Sequence, residues 1–349
     1  MPKKIATTLW MLVAAAALGF LIWRTDREMF RTAISELNWP LAVGALAVYT
    51  ISQALLAVRW VQLLRVHGVI IPLAKAVQLT FLGLFYNNVM PGAVGGDLLK
   101  GWYVSRHSQK GLRLEAAVTV LLDRIIGLAG MVLVGSLASL FLNTEGAAKT
   151  IGLLRYLIWG ILGAMVIGCI VVFSQRIRSA LKLNALLNRL PFADKLRKAD
   201  SAVRTYRNHL PTVAIALALT ATIQGLAVVA VWILTKALHF ESVTFIQCLI
   251  IMPMIWVISA AVPVPGGLGV IETCVTYLFC LVINPQAPDT AQGAAAALAL
   301  LIRALIVVSS LPGAIIPLIG GHMPNAKQMA AEIEKDNADN EENRSHQAE

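Results

Sequence analysis

Charge is scarce in this sequence. Only 14% of its 349 residues are Asp, Glu, Lys or Arg, 58% are hydrophobic, and the mean hydropathy is +0.72. A soluble domain carries about 25% charged and 45–50% apolar residues, so the shortage excludes an ordinary soluble globule and leaves an all-α polytopic membrane protein. Cysteine is scarce too. Cys169, Cys248, Cys274 and Cys280 fall in apolar segments without disulfide or zinc spacing, which leaves them as small packing residues. No two of the six histidines stand three or four residues apart, so a metal site has no support. Also missing are a Gly-rich nucleotide loop, a Ser/His/Asp ordering and Asp-x-Asp or His-Glu-x-x-His clusters. No catalytic residue, metal or cofactor is therefore assigned.

What charge there is has a sign and a pattern. The formal net charge of +10 would suit nucleic acid if it formed one folded face, but the basic residues sit in short stretches between apolar segments. That points to the inner membrane surface and anionic lipid, with no nucleic-acid partner. Lys3 and Lys4 precede an apolar run through Trp23. This run is longer than the roughly 7–15 residues of a signal peptide core and lacks a clear small-residue cleavage site, so it reads as an uncleaved first helix.

About 20 apolar residues span a bilayer. Six full spans are expected, over about 5–23, 39–64, 114–142, 150–174, 211–236 and 292–318. Two further apolar stretches, 72–106 and 243–284, are interrupted by YNNVMPGAVGGDLLK and AVPVPGGLGVIET. Lys and Arg favour the cytoplasmic side. If both interrupted stretches turn back as re-entrant hairpins and both termini are cytoplasmic, the inner segments hold 20 Lys/Arg and the outer ones 5. The chain then reads as span, span, broken hairpin, span, twice over in opposite orientation, with halves of about 1–142 and 150–320. Such inverted repeats place discontinuous helices around a binding site near the midplane. The 175–210 loop is basic and cytoplasmic, either an amphipathic helix on the inner leaflet or a plain loop. The polar, acidic 324–349 tail has the composition of a disordered segment.

The interruptions comprise Pro91, Gly92, Gly95 and Gly96 in one half and Pro263, Pro265, Gly266, Gly267 and Gly269 in the other. Proline removes a donor and lipid satisfies none of the freed backbone groups, so such elbows survive at depth only inside protein or beside a wet cavity. Charges fall in the same regions. A charged side chain at the bilayer centre costs roughly 2.5–3.5 kcal/mol on insertion scales, and Asp123, Arg124 and Arg303 lie deep in expected spans. Either they form interior ion pairs, for instance Asp123 with Arg303 and Glu272 with Arg124, or the arginines hold an anionic phosphate, for which a guanidinium is suited. Candidate head-group residues are Arg59, Asn87, Asn88, Asp97, Lys100, Asp123, Arg124, Glu272 and Arg303. Asn87 and Asn88 serve equally well as caps for exposed backbone.

AVRW at 57–60, NNVMPGAVGGDLLKGW at 87–102, LLDRIIGL at 121–128, PVPGGLGVIE at 263–272 and Arg303 together resemble the lysylphosphatidylglycerol synthase transmembrane family over about residues 5–320. The resemblance implies a flippase-like bacterial inner-membrane protein that moves an aminoacylated or otherwise decorated lipid between leaflets. It carries over onto Arg59, Pro91, Gly95, Asp97, Lys100, Asp123, Arg124, Pro263, Pro265, Gly266, Gly267, Gly269, Glu272 and Arg303. The sequence departs from the pattern at Lys100, where an arginine is expected, and in having no soluble aminoacyl-transferase domain. The expected cargo is a decorated phospholipid or a polyprenyl-phosphate lipid, with membrane lipids and a separate lipid-modifying enzyme as partners. The alternatives are a membrane-embedded transferase or hydrolase, or a scaffold for lipid-synthesis enzymes.

Overall fold

The computed structural model describes residues 35–89, 95–107, 113–141, 149–180, 200–262, 267–283 and 291–319. They are helical, with no strand among them. In chain order the helices are α1 (Trp39–Val66), α2 (Leu73–Val89), α3 (Gly95–His107), α4 (Arg113–Ala138), α5 (Lys149–Phe173), α6 (Gln175–Ala180), α7 (Leu210–Ala237), α8 (Phe245–Ala261), α9 (Val270–Ile283), α10 (Gln292–Ser310) and α11 (Pro312–Ile319). Five helical stretches, 39–66, 117–141, 155–173, 210–237 and 292–315, are long and apolar enough to cross a membrane. These match five of the six expected spans. The sixth, 5–23, lies outside the described residues, as do 181–199 of the basic loop and the 324–349 tail. The protein is a multi-pass membrane protein.

Local chemistry sets the helix starts. Asn38 Oδ1 accepts from Leu41 N at 3.3 Å and Pro40 occupies the first turn of α1, where a missing N–H costs nothing. Thr244 and Gln247 form a reciprocal capping box at α8. The first turn of α7 holds Pro211.

α1 and α7 form the central pair and run antiparallel along their length. Asn38 N donates to Ala237 O at one end, Arg59 bonds Thr220 midway, and Tyr206 Oη donates to Leu63 O just before α7 begins. At 1.5 Å per residue each 28-residue helix is about 42 Å long, enough to cross a hydrocarbon core of about 30 Å. Around this pair a similar packing occurs twice. α2 and α3 form an antiparallel hairpin, with Lys75 over Tyr103 and Gly83 against Gly96. α8 and α9 form a second, closed by Ser242 Oγ donating to Ile283 O and by Ser259 against Gly267. The second helix of each hairpin packs on the span that follows it, α3 on α4 and α9 on α10.

Each hairpin is also met by a helix that follows the other one. Gly135 of α4 lies against Pro253, nine residues into α8, and Gly313 of α11 lies against Phe81, nine residues into α2. Lipid supplies no hydrophobic drive for one helix to join another, so close approach at small residues does the work. A Cβ on Gly313 would collide with the Phe81 carbonyl, and one on Gly96 with the Gly83 carbonyl. α5 stands apart, with Leu153, Tyr156, Leu157, Ile167 and Ile170 exposed, the face a lipid-bathed span presents.

Candidate functional site

Six of the seven charged residues singled out above, all but Lys100, form three ion pairs, and each pair ties different elements together. Arg59 of α1 is buried, donating from Nε to Asp123 Oδ1 at 2.8 Å, from Nη1 to Thr220 Oγ1 at 2.9 Å and from Nη2 to the Asp123 carbonyl at 3.1 Å. This guanidinium staples α1, α4 and α7. Its Nη atoms lie 3.3 Å from where a Cβ on Gly127 would stand, so that glycine makes room for it.

The other two pairs share one design. Asp97, in the first turn of α3, pairs with Arg124 of α4, and Glu272, in the first turn of α9, pairs with Arg303 of α10. Each acid follows the helix break, and each arginine comes from the next span. The two pairs differ in exposure. Arg303 donates from Nε to Glu272 Oε1 at 2.5 Å with a side chain only 2% exposed, whereas the Arg124 side chain is 42% exposed. Glu272 Oε2 also accepts from Gly269 N at 2.7 Å, capping α9. Gly267 and Gly269 carry φ of +65° and +82°, a region that L side chains rarely adopt, and this makes the sharp entry into α9 possible.

The pairing is not the one expected. Asp123 meets Arg59 rather than Arg303, and Glu272 meets Arg303 rather than Arg124. Neighbours on a helix point about 100° apart, so Asp123 faces α1 and α7 while Arg124 faces its own hairpin. The hairpin acids are confined to their own halves because α3 and α9 pack on the spans that follow them.

Of the asparagines, Asn87 Oδ1 accepts from Gly96 N at 2.9 Å, capping α3 across the break. Asn88 Nδ2 donates to Ser310 Oγ at 3.2 Å and joins the first hairpin tip to α10. Lys100 is buried beneath this tip, its Nζ 5.1 Å from the centre of the Trp60 ring. Gly95 and Gly96 begin α3, while Pro91, Gly92, Pro263, Pro265 and Gly266 lie outside the described residues. Thr220, Ser310 and Trp60 were not foreseen. A threonine and an adjacent serine pair inside apolar runs were the available signals, but neither says which helix will face it. Among the described residues no group of three or more His, Cys, Asp or Glu gathers around a possible metal position.

Outside the spans, His67 follows α1 with its ring edge-on to Tyr206, centroids 5.2 Å apart. Burial holds the His67 pKa below its ordinary value, opposed by Glu115 and aided by His209. Burial likewise pushes the Tyr206 phenol upward.

Residues 8–313 match the family model described as the lysylphosphatidylglycerol synthase TM region. The chain is also similar to the UPF0104 membrane protein PH1989 of Pyrococcus horikoshii, 24% identical over 293 residues that cover 78% of this chain and 87% of the relative. A match over this much of the chain, on a helical membrane fold carrying the motifs described above, places it in the lysylphosphatidylglycerol synthase transmembrane-region family, with a role related to membrane lipid.

Proposed function

We propose that the chain is a lipid flippase that moves a lipid with an anionic head group between leaflets, through a polar groove bounded by the two hairpins. The observation that carries this reading is the repeated pair: an acid just beyond each helix break, held by an arginine of the following span, the arginine enclosed in one pair and exposed in the other. Helices α2, α3, α8 and α9 have 17, 13, 17 and 14 residues, about 20–25 Å each, too short for a core of about 30 Å. This supports hairpins that enter and return; the Lys/Arg bias of the connecting segments favours one from each side, with both termini cytoplasmic in a bacterial inner membrane. The first 320 residues act as one transport domain built of inverted halves.

In the groove, Arg124 exchanges Asp97 for the lipid phosphate. A guanidinium offers two parallel N–H donors to either group, so the exchange keeps the charge compensated while the acyl chains stay in lipid. Glu272 and Arg303 hold the opposite hairpin shut until rocking of one half on the other reverses the two states. The cargo class is an anionic, aminoacylated or glycosylated phospholipid or a polyprenyl-phosphate lipid, handed over by a separate lipid-modifying enzyme.

Purified protein in liposomes tests this with an anionic phospholipid whose leaflet is read by a membrane-impermeant reagent. Movement across the bilayer, unchanged lipid mass and at least a tenfold loss in Asp97→Ala are expected. A changed lipid mass would instead mark the membrane-embedded transferase or hydrolase. A silent Asp97→Ala variant, with sensitivity confined to 175–210, would mark the scaffold.

A further inference from the structure

Beneath the first hairpin tip, three helices bring buried donors to one level. Trp60 of α1 is fully enclosed, and its Nε1–H meets no acceptor among the described residues. Thr80 of α2 is equally enclosed, and its Oγ1 has no hydrogen-bond partner there. Lys100 of α3 is 7% exposed, and among the described residues no carboxylate pairs with it. Asp123 and Arg59 both act on it electrostatically, but the Asp123 carboxylate is already engaged by Arg59.

The three groups share a neighbourhood. Lys100 Nζ lies 5.1 Å from the centre of the Trp60 ring, and its Cε is 3.2 Å from where a Cβ on Gly83 would stand. Thr80 precedes Gly83 by three residues on the same face of α2. The hairpin register, with Lys75 on Tyr103 and Gly83 on Gly96, sets Thr80 at the level of Lys100.

Buried donors without acceptors are costly, and a lysine enclosed in a membrane domain more so. An ammonium, an indole N–H and a hydroxyl from three helices together call for an acceptor that can be approached from several directions. A tetrahedral phosphate offers that, whereas a carboxylate presents its oxygens in one plane. Lys100 also follows Asp97 by one turn of α3, next to the open Asp97–Arg124 pair.

We propose that Trp60, Thr80 and Lys100 form a phosphate-binding site for the head group of a lipid that enters beside Arg124. The proposal deepens the transport reading and rests on it for the source of the phosphate, but binding is measurable without movement. The Lys100 ammonium supplies the charge, and Trp60 and Thr80 donate to two further oxygens.

Full-length protein in a neutral detergent is titrated with dihexanoyl phosphatidic acid, with inorganic phosphate, and with dihexanoylglycerol as the uncharged control, binding being read by calorimetry. Phosphatidic acid is expected to bind, dihexanoylglycerol to bind far more weakly, and Lys100→Met to remove the difference while melting no lower than the parent. Trp60→Phe keeps an aromatic ring and loses the pyrrole part of the indole with its N–H; with the melting temperature of the variant measured alongside, it is expected to weaken binding about three- to tenfold. Equal binding of inorganic phosphate, still lost in Lys100→Met, supports the site and identifies a soluble anion as its ligand. Phosphatidic acid binding that is absent, or unchanged in both variants, overturns the site. Leaflet movement that persists alongside that result leaves the transport reading standing, whereas binding without movement overturns transport alone.

Discussion

The two hairpins carry the same acid–arginine pair in opposite conditions. The acids are similarly enclosed, Glu272 18% and Asp97 15% exposed, but the arginines are not: Arg303 is 2% exposed, in a pair whose acid also caps the α9 backbone, whereas Arg124 is 42% exposed. A pair enclosed by protein fixes register, because neither partner can leave without exposing the other charge to a medium of low polarity. A pair whose arginine is exposed can change partners. The comparison therefore separates an enclosed pair from an exposed one made of equivalent residues, which is the asymmetry that the proposed alternating transport requires in any one state.

The sharpest way to break the comparison is to remove one partner of the closed pair. Arg303→Ala or Glu272→Ala removes one member of an ion pair whose arginine is 2% exposed and is expected to cost about 3–5 kcal/mol, seen as a large drop in thermal stability in detergent. The double variant should recover part of that loss, because its interaction term is not additive. Next come the glycines. Gly96→Ala and Gly313→Ala each drive a methyl into a backbone carbonyl, at about 1–3 kcal/mol. Gly101→Ala, with nothing within 4 Å of the new Cβ, should be neutral or stabilising by up to about 1 kcal/mol.

Removing the open pair should change stability far less. For Asp97→Ala the Arg124 side chain is 42% exposed, where an ion pair contributes little, so the expected change is under about 1 kcal/mol, against the large loss of lipid movement predicted above. Equal stability losses in Asp97→Ala and Glu272→Ala would erase the distinction between the halves.

The smallest expected effect lies outside the spans. The His67 pKa is lowered chiefly by burial, so as pH falls below about 6.5 the unfolded chain takes up a proton that the folded one resists. Stability should therefore be full above that range and decline below it. His67→Gln should flatten the decline in a thermal-unfolding series across that window.

Much of this was legible because lipid leaves few choices. Long apolar runs have to become helices, and the Arg59, Asp97, Asp123, Arg124, Glu272 and Arg303 charges announced themselves by their cost in such runs. The breaks were legible for the same reason, since proline and glycine inside an apolar segment need protein around them. Partner choice was hidden. Nothing in LLDRIIGL says that Asp123 turns toward Arg59 while Arg124 turns toward Asp97, because that depends on which helices flank α4. Asn87 was open between head group and cap, and only the approach of Gly96 N reveals the cap. Trp60 stood in the AVRW stretch with no role assigned, and its unmatched N–H becomes visible only where Lys100 is brought over its ring.

Sequence by itself determined that the chain crosses a membrane several times, that it interrupts its helices in two corresponding places, and which charges need company. Those outcomes follow from transfer energies and backbone hydrogen bonding, which act residue by residue. Tertiary structure alone decided which acid meets which arginine, which pair is closed and where donors remain unmatched, because these depend on distances between helices far apart in the chain.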